Sequence, residues 1–406
     1  MEYNAPFLCN DFRLNGAPDA YKMCVYLSIE DVHHTWDAFK PHKDIFFSSE
    51  FLGAIEKSSA SGITPYYIVV KKSEQIIALL YFQYKFVRLS DNLRYTDNAD
   101  TSLIHQVIKP FKDWLISKLN FRTLICGNLL LTGSYGGCFS DHIPNNERFE
   151  LLNEATQWMQ EVLKSNHIQV DLILIKDYFE HQLPSEAQTI KSFTQFSVQP
   201  KMIFSISPDW NSLENYLDEL KSKYRIRARK ALKSSHSLQK SELDLAAIYR
   251  HQNQLHALYK NVSDQAGFNA FVLPAEYFSN LKDALGDKIT FMAYWKDQEM
   301  IAFYTIIRNQ DVLDAHFLGY KPVLNKQYSI YLNMLLDLIS EGIKRRASMV
   351  DMSRTAIEIK SSVGSKPVEM FLYLRHTHPM VNLRASVIIR IVTPRFKYTI
   401  RHPFRD

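Results

Sequence analysis

Glycine and proline are scarce in this 406-residue chain, at 12 and 15 residues, which excludes collagen-like and low-complexity architectures. Cysteine is scarcer: Cys9, Cys24, Cys126 and Cys138 contain no CxxC pair, so neither a disulfide-stapled scaffold nor a thiolate zinc site is expected. Free thiols in a reducing cytoplasm are the plain expectation. No stretch approaches the ~18 uncharged apolar residues that a membrane-spanning helix needs. The opening Met1-Glu-Tyr-Asn-Ala-Pro-Phe7 has no basic region followed by an apolar run, so a secretory leader is not expected either. The pairs His33-His34 and His376-x-His378 lack cysteine or carboxylate companions at ligand spacing, which argues against a metal.

What remains is the composition of a core-forming globular protein, 46% hydrophobic, 22% charged and 13% aromatic, which excludes a disordered chain. The length exceeds the roughly 250–300 residues that one hydrophobic core supports, so two domains are expected. Net charge is +5 but uneven: residues 1–200 hold 18 Lys+Arg against 23 Asp+Glu, and residues 201–406 hold 30 against 20. Two stretches carry the excess. Residues 221–233 contain seven basic residues and no acid, and residues 384–406 contain six against Asp406 alone. An anionic partner is expected to meet one of them.

Hydrophobic periodicity outlines the same mixed order twice. In the first half a strand near 22–28 and helices near 31–40 and 48–59 lead into an aromatic hairpin at 65–72 and 76–87. A helix near 103–119, a strand at 122–131, a glycine-rich turn at 133–137, a helix at 147–165 and a strand at 169–176 follow. In the second half, helices near 211–234, 246–261 and 274–285 precede strands at 288–295, 300–308 and 311–319. A long helix at 326–345, a strand at 348–352, a short helix at 354–362 and a strand at 368–375 complete it. The halves read as divergent copies of one unit, with a first domain at 1–200, a second at 201–380 and a basic tail at 381–406. The Gly133–Gly137 turn has neither the GxSxG spacing of a hydrolase elbow nor the Gly-Lys-Ser/Thr ending of a phosphate loop.

Three segments of the second half carry a family resemblance. The runs Asp314-Ala-His-Phe-Leu-Gly-Tyr320, Asn325-Lys-Gln-Tyr-Ser-Ile-Tyr-Leu-Asn333 and Asp351-Met-Ser-Arg-Thr-Ala-Ile-Glu-Ile-Lys-Ser-Ser-Val-Gly-Ser-Lys-Pro367 resemble the GNAT acyltransferase superfamily, in its two-domain FemABX-like branch of bacterial N-acyltransferases. The basic segment Lys223–Leu232 resembles the helix that opens the second domain of that branch. The resemblance implies an α/β (α+β) fold of two tandem GNAT-like domains, each a mixed twisted sheet flanked by helices, with the active cleft in the second. One departure stands out. The usual GNAT pyrophosphate loop is Gln/Arg-x-x-Gly-x-Gly/Ala, whereas Gly319-Tyr-Lys-Pro-Val-Leu-Asn-Lys-Gln327 has one glycine and then a proline, which leaves a CoA cradle in doubt.

Strand alternation along 311–320 puts Asp314, His316 and Leu318 on one face. The resemblance implies that this strand parts from its neighbour at 348–352 to admit the acyl donor. Asp314 and His316 are then candidates to orient the amine or take its proton, and Tyr320 to protonate the leaving group. Arg354 and Glu358 stand at the spacing of a helical ion pair, and Ser353 at a capping position. Arg354 and Lys360 are candidate anion contacts, with Ser353, Glu358 and Asn325 beside them as substrate- or donor-binding residues. Arg225 and Arg229, in an i,i+4 row with Lys221 and Lys233, are candidates for the donor's phosphates. The plain alternatives are a satisfied half-buried histidine, an ordinary ion pair and a solvated basic face.

The expected function is N-acyl transfer from acyl-CoA, a carrier protein or aminoacyl-tRNA to an amine of a small-molecule, lipid or cell-wall precursor. No tightly bound cofactor is expected; acyl-CoA is a candidate co-substrate and tRNA a candidate donor carrier. The expected setting is the cytoplasm, with residues 384–406 as a candidate contact for an anionic membrane. Two alternatives stand beside it: a catalytically silent module that binds a cell-wall or lipid precursor, and an RNA-binding protein that uses the basic helix.

Overall fold

The computed structural model describes residues 6–14, 20–39, 44–58, 62–88, 120–182, 192–265, 271–392 and 398–405; the helix expected near 103–119 lies outside them. The first half contributes β1 (Leu8–Phe12), β2 (Tyr21–Tyr26), α1 (His33–Ala38), α2 (Ser49–Lys57), β3 (Ile63–Lys72), β4 (Gln75–Arg88), β5 (Asn120–Cys126), β6 (Gly137–Phe139), α3 (Asn145–Ser165), β7 (Leu172–Phe179) and β8 (Thr194–Ser197). The second begins with β9 (Lys201–Ser205), α4 (Leu213–Glu219), α5 (Ser222–Ser234), β10 (Gln239–Glu242), α6 (Leu245–Arg250), α7 (Gln252–Ser263), α8 (Tyr277–Leu285), β11 (Ile289–Lys296), β12 (Glu299–Asn309) and β13 (Val312–Tyr320). It ends with α9 (Pro322–Tyr328), α10 (Ile330–Lys344), β14 (Met349–Asp351), α11 (Ile357–Ser362), β15 (Lys366–Val368), β16 (Met370–His376), α12 (Pro379–Asn382) and α13 (Ala385–Val392).

Local chemistry explains many of the boundaries. The aromatic hairpins β3–β4 and β11–β12 turn on Ser73-Glu74 and Asp297-Gln298, all four with positive φ, as a two-residue turn matched to strand twist requires. Ser48 caps α2 by accepting from the Phe51 N–H, and Ser212 forms a capping box with Asn215 at α4. The expected helix over 211–234 is two helices, because the chain becomes extended at Leu220 and Lys221. The expected helix over 326–345 likewise breaks at Ser329, whose φ is 49°.

One sheet runs β1-β2-β3-β4-β5-β7-β16-β8, with β6 also on β4, and the other runs β10-β11-β12-β13-β14-β9-β15. The repeat is visible in this order. Each sheet has an antiparallel hairpin, a third strand, and a parallel neighbour reached through a long helix: β5 with β7, and β13 with β14. The final strands are exchanged. β8 lies in the first sheet and β9 crosses to the second, where it sits between β14 and β15; β15 lies in the second sheet and β16 crosses back to sit between β7 and β8. The strand expected at 368–375 thus completes the sheet of the first half.

The core is shared as well. Tyr67, Val69, Leu79 and Tyr81 of the first sheet and Phe291, Ala293, Phe303 and Ile307 of the second face one buried cluster, which α2 and α8 also fill. The alternate residues Ile68, Val70 and Leu80 pack under α3, while Tyr294, Ala302 and Ile306 pack under α10. Cys9 and Cys24 sit opposite each other across β1 and β2 and form a disulfide. This corrects the expectation of free thiols for that pair; Cys126 and Cys138 are free and buried.

Gly319 marks a close approach of α7 to the second sheet. A Cβ there would lie 2.4 Å from the Leu258 carbonyl carbon and the Tyr259 nitrogen of α7, both rigid backbone atoms. Gly319→Ala is therefore expected to destabilise the fold by about 1–3 kcal/mol, read as a lower midpoint in thermal unfolding.

Candidate active site at the seam between the two units

The parallel pairing of β13 with β14 lasts three residues and ends at Asp314 opposite Asp351. Beyond that point β14 has ended, and β13 has no strand partner on this side among the described residues. Its course is further altered by a bulge. Ile306 pairs with Ala315 but Tyr304 with Leu318, so β13 carries one extra residue. The buried Thr305 hydroxyl fills the gap in the ladder: it donates to the Phe317 carbonyl and accepts from the Phe317 N–H, both at 2.9 Å. The bulge breaks the expected alternation. Asp314 and His316 share a face, but Leu318 and Tyr320 turn to the α10 side, and Tyr320 packs on Tyr331.

Asp314 and His316 line a cavity of about 30 Å³, room for a water or an amino group. Its walls come equally from both units: Phe46, Leu130, Leu131, Thr132 and Tyr135 from the first, and Asp314, Ala315, His316, Asp351 and Ser353 from the second. Asp314 is buried, and burial together with its hydrogen-bonded neighbour Asp351 pushes its pKa well above the usual carboxylate range. Its Oδ2 has no hydrogen-bond partner. Asp351 is held on its other sides by an ion pair with Lys201 of β9 and by the Ser353 N–H at 2.8 Å. His316 is enclosed by Phe46, Phe51 and Tyr277, and its Nε2 is 2.6 Å from the Tyr277 hydroxyl. Burial lowers its pKa to about 3, so it is a neutral imidazole at physiological pH.

The loop after β14 is the second half of the site. Ser353, Thr355 and Ala356 all have positive φ, a costly backbone for residues with a Cβ. It is held by Arg354, whose guanidinium donates at 2.5 Å to Asp177 of the first unit. Asp177 is fully buried, also pairs with Lys176, and accepts from the Gly133 N–H at 3.3 Å. Lys176 in turn donates to the Leu131 carbonyl at 2.6 Å, and burial lowers its pKa to about 8. Lys360 donates to the Arg354 carbonyl at 2.5 Å, with a pKa lowered by burial to about 7. The Ser353 hydroxyl meets that of Thr132 at 3.1 Å.

Several expected contacts are placed differently. Arg354 precedes α11 and reaches across the seam, whereas Glu358 pairs with Arg401 of the tail, so the two do not form a helical pair. Ser353 does not cap α11, whose N-terminal flank is Ala356. Asn325 accepts from the Tyr331 N–H at 3.0 Å, occupying the first turn of α10. Arg225 donates to the Asp218 carbonyl and Arg229 pairs with Glu214 and Asp218, so both lean on α4. Lys223, Arg227, Arg229, Lys230 and Lys233 are the exposed cations of α5. Sequence reasoning missed Lys176, Asp177, Lys201, Thr132, Thr305 and Asp351, although Asp351 opens one of the motif runs.

In the first unit the corresponding gap is filled by its own chain. β5 and β7 part after Cys126 and Ile175, and residues 127–136 turn into the space, where Lys176 and Asp177 hold Leu131 and Gly133. The same segment brings Thr132 and Tyr135 to the cavity of the second unit.

Residues 221–361 match the family model for the acetyltransferase (GNAT) domain. The second unit is thus the part of the chain that resembles the GNAT domain. The whole chain is similar to the crystal structure of FemX, at 11% identity and a TM-score of 0.52 over 90% of this chain and 99% of that one, so the tandem arrangement is a shared fold. L-PGS from Bacillus licheniformis is similar at 11% identity and a TM-score of 0.42, over 68% of this chain and 86% of that one. A tandem GNAT protein from the clavulanic acid biosynthesis pathway is similar at 7% identity and 0.45, over 82% and 88%. No curated protein matches.

The Asp177–Arg354 pair is the only link that the loop after β14 makes to a fully buried charge of the first unit among the described ion pairs. Removing one partner of such a pair strands the other in the interior. Arg354→Ala is expected to cost about 3 kcal/mol in urea unfolding, and Arg354→Lys to recover only part of it because the planar fork is lost.

Proposed function

We propose that this GNAT-like domain catalyses N-acyl transfer, moving an acyl or aminoacyl group from an activated ester or thioester onto an amine held in the seam cavity. The observation that carries this is Asp314, a buried carboxyl with a free Oδ2 at the point where β13 and β14 part. The donor carbonyl lies in the opening beyond Asp314 and the amine on the cavity side. The amine nitrogen attacks the carbonyl carbon and passes a proton to Asp314 in its ionised form. The C–O or C–S bond then breaks, and the leaving oxygen or sulfur takes up a proton. The donor is already activated, so orientation and proton removal are the principal demands on the protein. Asp351, fixed by Lys201, sets the basicity of Asp314; His316 and Tyr277 form the neutral wall behind it.

The head of α10 supports a donor other than CoA. The segment that would cradle a pyrophosphate is the helix α9, beginning with Pro322, and Asn325 takes up a first-turn N–H of α10. An aminoacyl ester on tRNA, or an acyl carrier protein, suits this surface better than CoA, with the exposed cations of α5 available to a phosphate backbone. Acceptors of the small-molecule, lipid or cell-wall precursor class remain the proposal for the amine.

Because Asp314 is held protonated well above the usual carboxylate range, its base form grows as pH rises through that raised pKa. The rate–pH profile is expected to climb across this region, and Asp314→Asn to lose the climb together with about 10²–10⁴ in kcat, measured by acyl or aminoacyl transfer to an amine acceptor. The wild-type chain showing no transfer from any of the three donor classes, while still binding an acceptor, would instead assign it to the silent-module class. The fold gives an independent check. A carboxyl whose pKa is higher folded than unfolded contributes stability that is present below its unfolded pKa and is lost as pH rises from that value through the folded one. Asp314→Asn is thus expected to raise Tm at neutral pH.

A further inference from the structure

The basic C-terminal region divides into two parts with different fates. Residues 398–405 pack on the second unit: Phe404 stacks on Trp210 and meets Tyr216 edge-on, the Pro403 carbonyl accepts from the Lys221 N–H at 2.8 Å, and Arg401 pairs with Glu358. This part of the expected membrane contact is therefore engaged elsewhere. Helices α12 and α13 are not covered by it. They lie over β16 and the edge strand β8, with Ala385 turned inward and buried. On the outward side Met380, Leu383 and Val387 are 61%, 83% and 55% exposed. These are three of the five most exposed large hydrophobic side chains among the described residues, gathered within eight positions. Leu383 and Arg384 form the turn between the two helices, Val387 and Arg390 lie one turn apart on α13, and both arginines are exposed. No Asp or Glu occurs between residues 370 and 405.

We infer that the α12–α13 face is a docking surface for an anionic lipid bilayer, with Met380, Leu383 and Val387 entering the interfacial layer and Arg384 and Arg390 at the headgroup phosphates. The charge pattern selects this occupant. A protein partner of ordinary size calls for a broader, mixed surface, whereas an exposed apolar patch in a segment that holds arginines and no acid suits a negatively charged interface. The inference does not rest on the proposed chemistry, and it orients the first sheet's edge toward the membrane.

The test is co-sedimentation of the full chain with phosphatidylglycerol–phosphatidylcholine vesicles and with phosphatidylcholine alone. Binding to the anionic vesicles is expected, falling with salt, and each of Arg384→Ala and Arg390→Ala should weaken the partition about fivefold. Leu383→Glu combined with Val387→Glu should abolish it while leaving Tm unchanged, since both side chains are already in solvent. Equal binding to neutral vesicles, no binding, or unaltered binding by these variants would each overturn the inference. So would a concentration-dependent dimer, seen by sedimentation velocity and dissolved by the double Glu variant, which would give the face to a second copy of the chain.

Discussion

Asp177 is fully buried, and a carboxylate in that position stands only if cations are brought to it. Lys176 comes from the adjacent position and Arg354 from the other unit, so the second of its two cations reaches it only when the units are docked in one register. Burial opposes ionisation of Asp177, yet the two cations keep its pKa below the ordinary value. The same pairing holds Arg354 in a loop whose backbone is left-handed at three positions. Strain of this kind persists where the surroundings over-determine it, and here the surroundings are the opposite half of the molecule. The cavity inherits its shape from that docking, because the first unit supplies five of its walls.

The contrast between the two copies shows how one scaffold acquires one centre. Both have a parallel pair that parts after a few residues. In the first, Cys126 and Ile175 are followed by a segment that fills the space; in the second, Asp314 and Asp351 are followed by a cavity. A hydroxyl in mid-strand makes the second arrangement possible. Thr305 satisfies both polar groups of Phe317 that the bulge removes from the ladder, which offsets part of the cost of the extra residue. Without the bulge, Tyr320 would keep the same facing as Asp314; with it, the aromatic end of β13 belongs to the core beneath α10.

Much of this is legible in the residues alone, and what is not has identifiable reasons. Periodicity outlines the repeated order because strands with alternating burial and helices with one apolar face write themselves into sequence. Asp314, His316, Arg354 and Lys360 stand out because charged or ionisable groups in apolar runs are conspicuous. Lys176 and Asp177 look like the polar end of a strand, and only the fold reveals that they are interior. Arg354 and Glu358 imitate a helical pair, but three left-handed residues between Ser353 and Ala356 start the helix later than the spacing suggests. A bulge has no signal in a single sequence, so the alternation of β13 extends one residue too far. The Cys9–Cys24 pairing depends on strand register, which spacing does not disclose.

The exchange of final strands ties the order of synthesis to the order of folding. A chain emerging from the ribosome delivers β1 to β8 first, yet β7 and β8 have no contact in the sheet until β16 enters between them. During that interval β7 presents an open edge, the kind of surface that invites mispairing. β9 waits as well, since β14 and β15, the strands it joins, both follow it, but its sheet is complete at β15, before β16 is made. The half that is made first is thus the half that is finished last, and truncation before residue 370 would leave β8 without its partner and the outer edge of β7 uncovered.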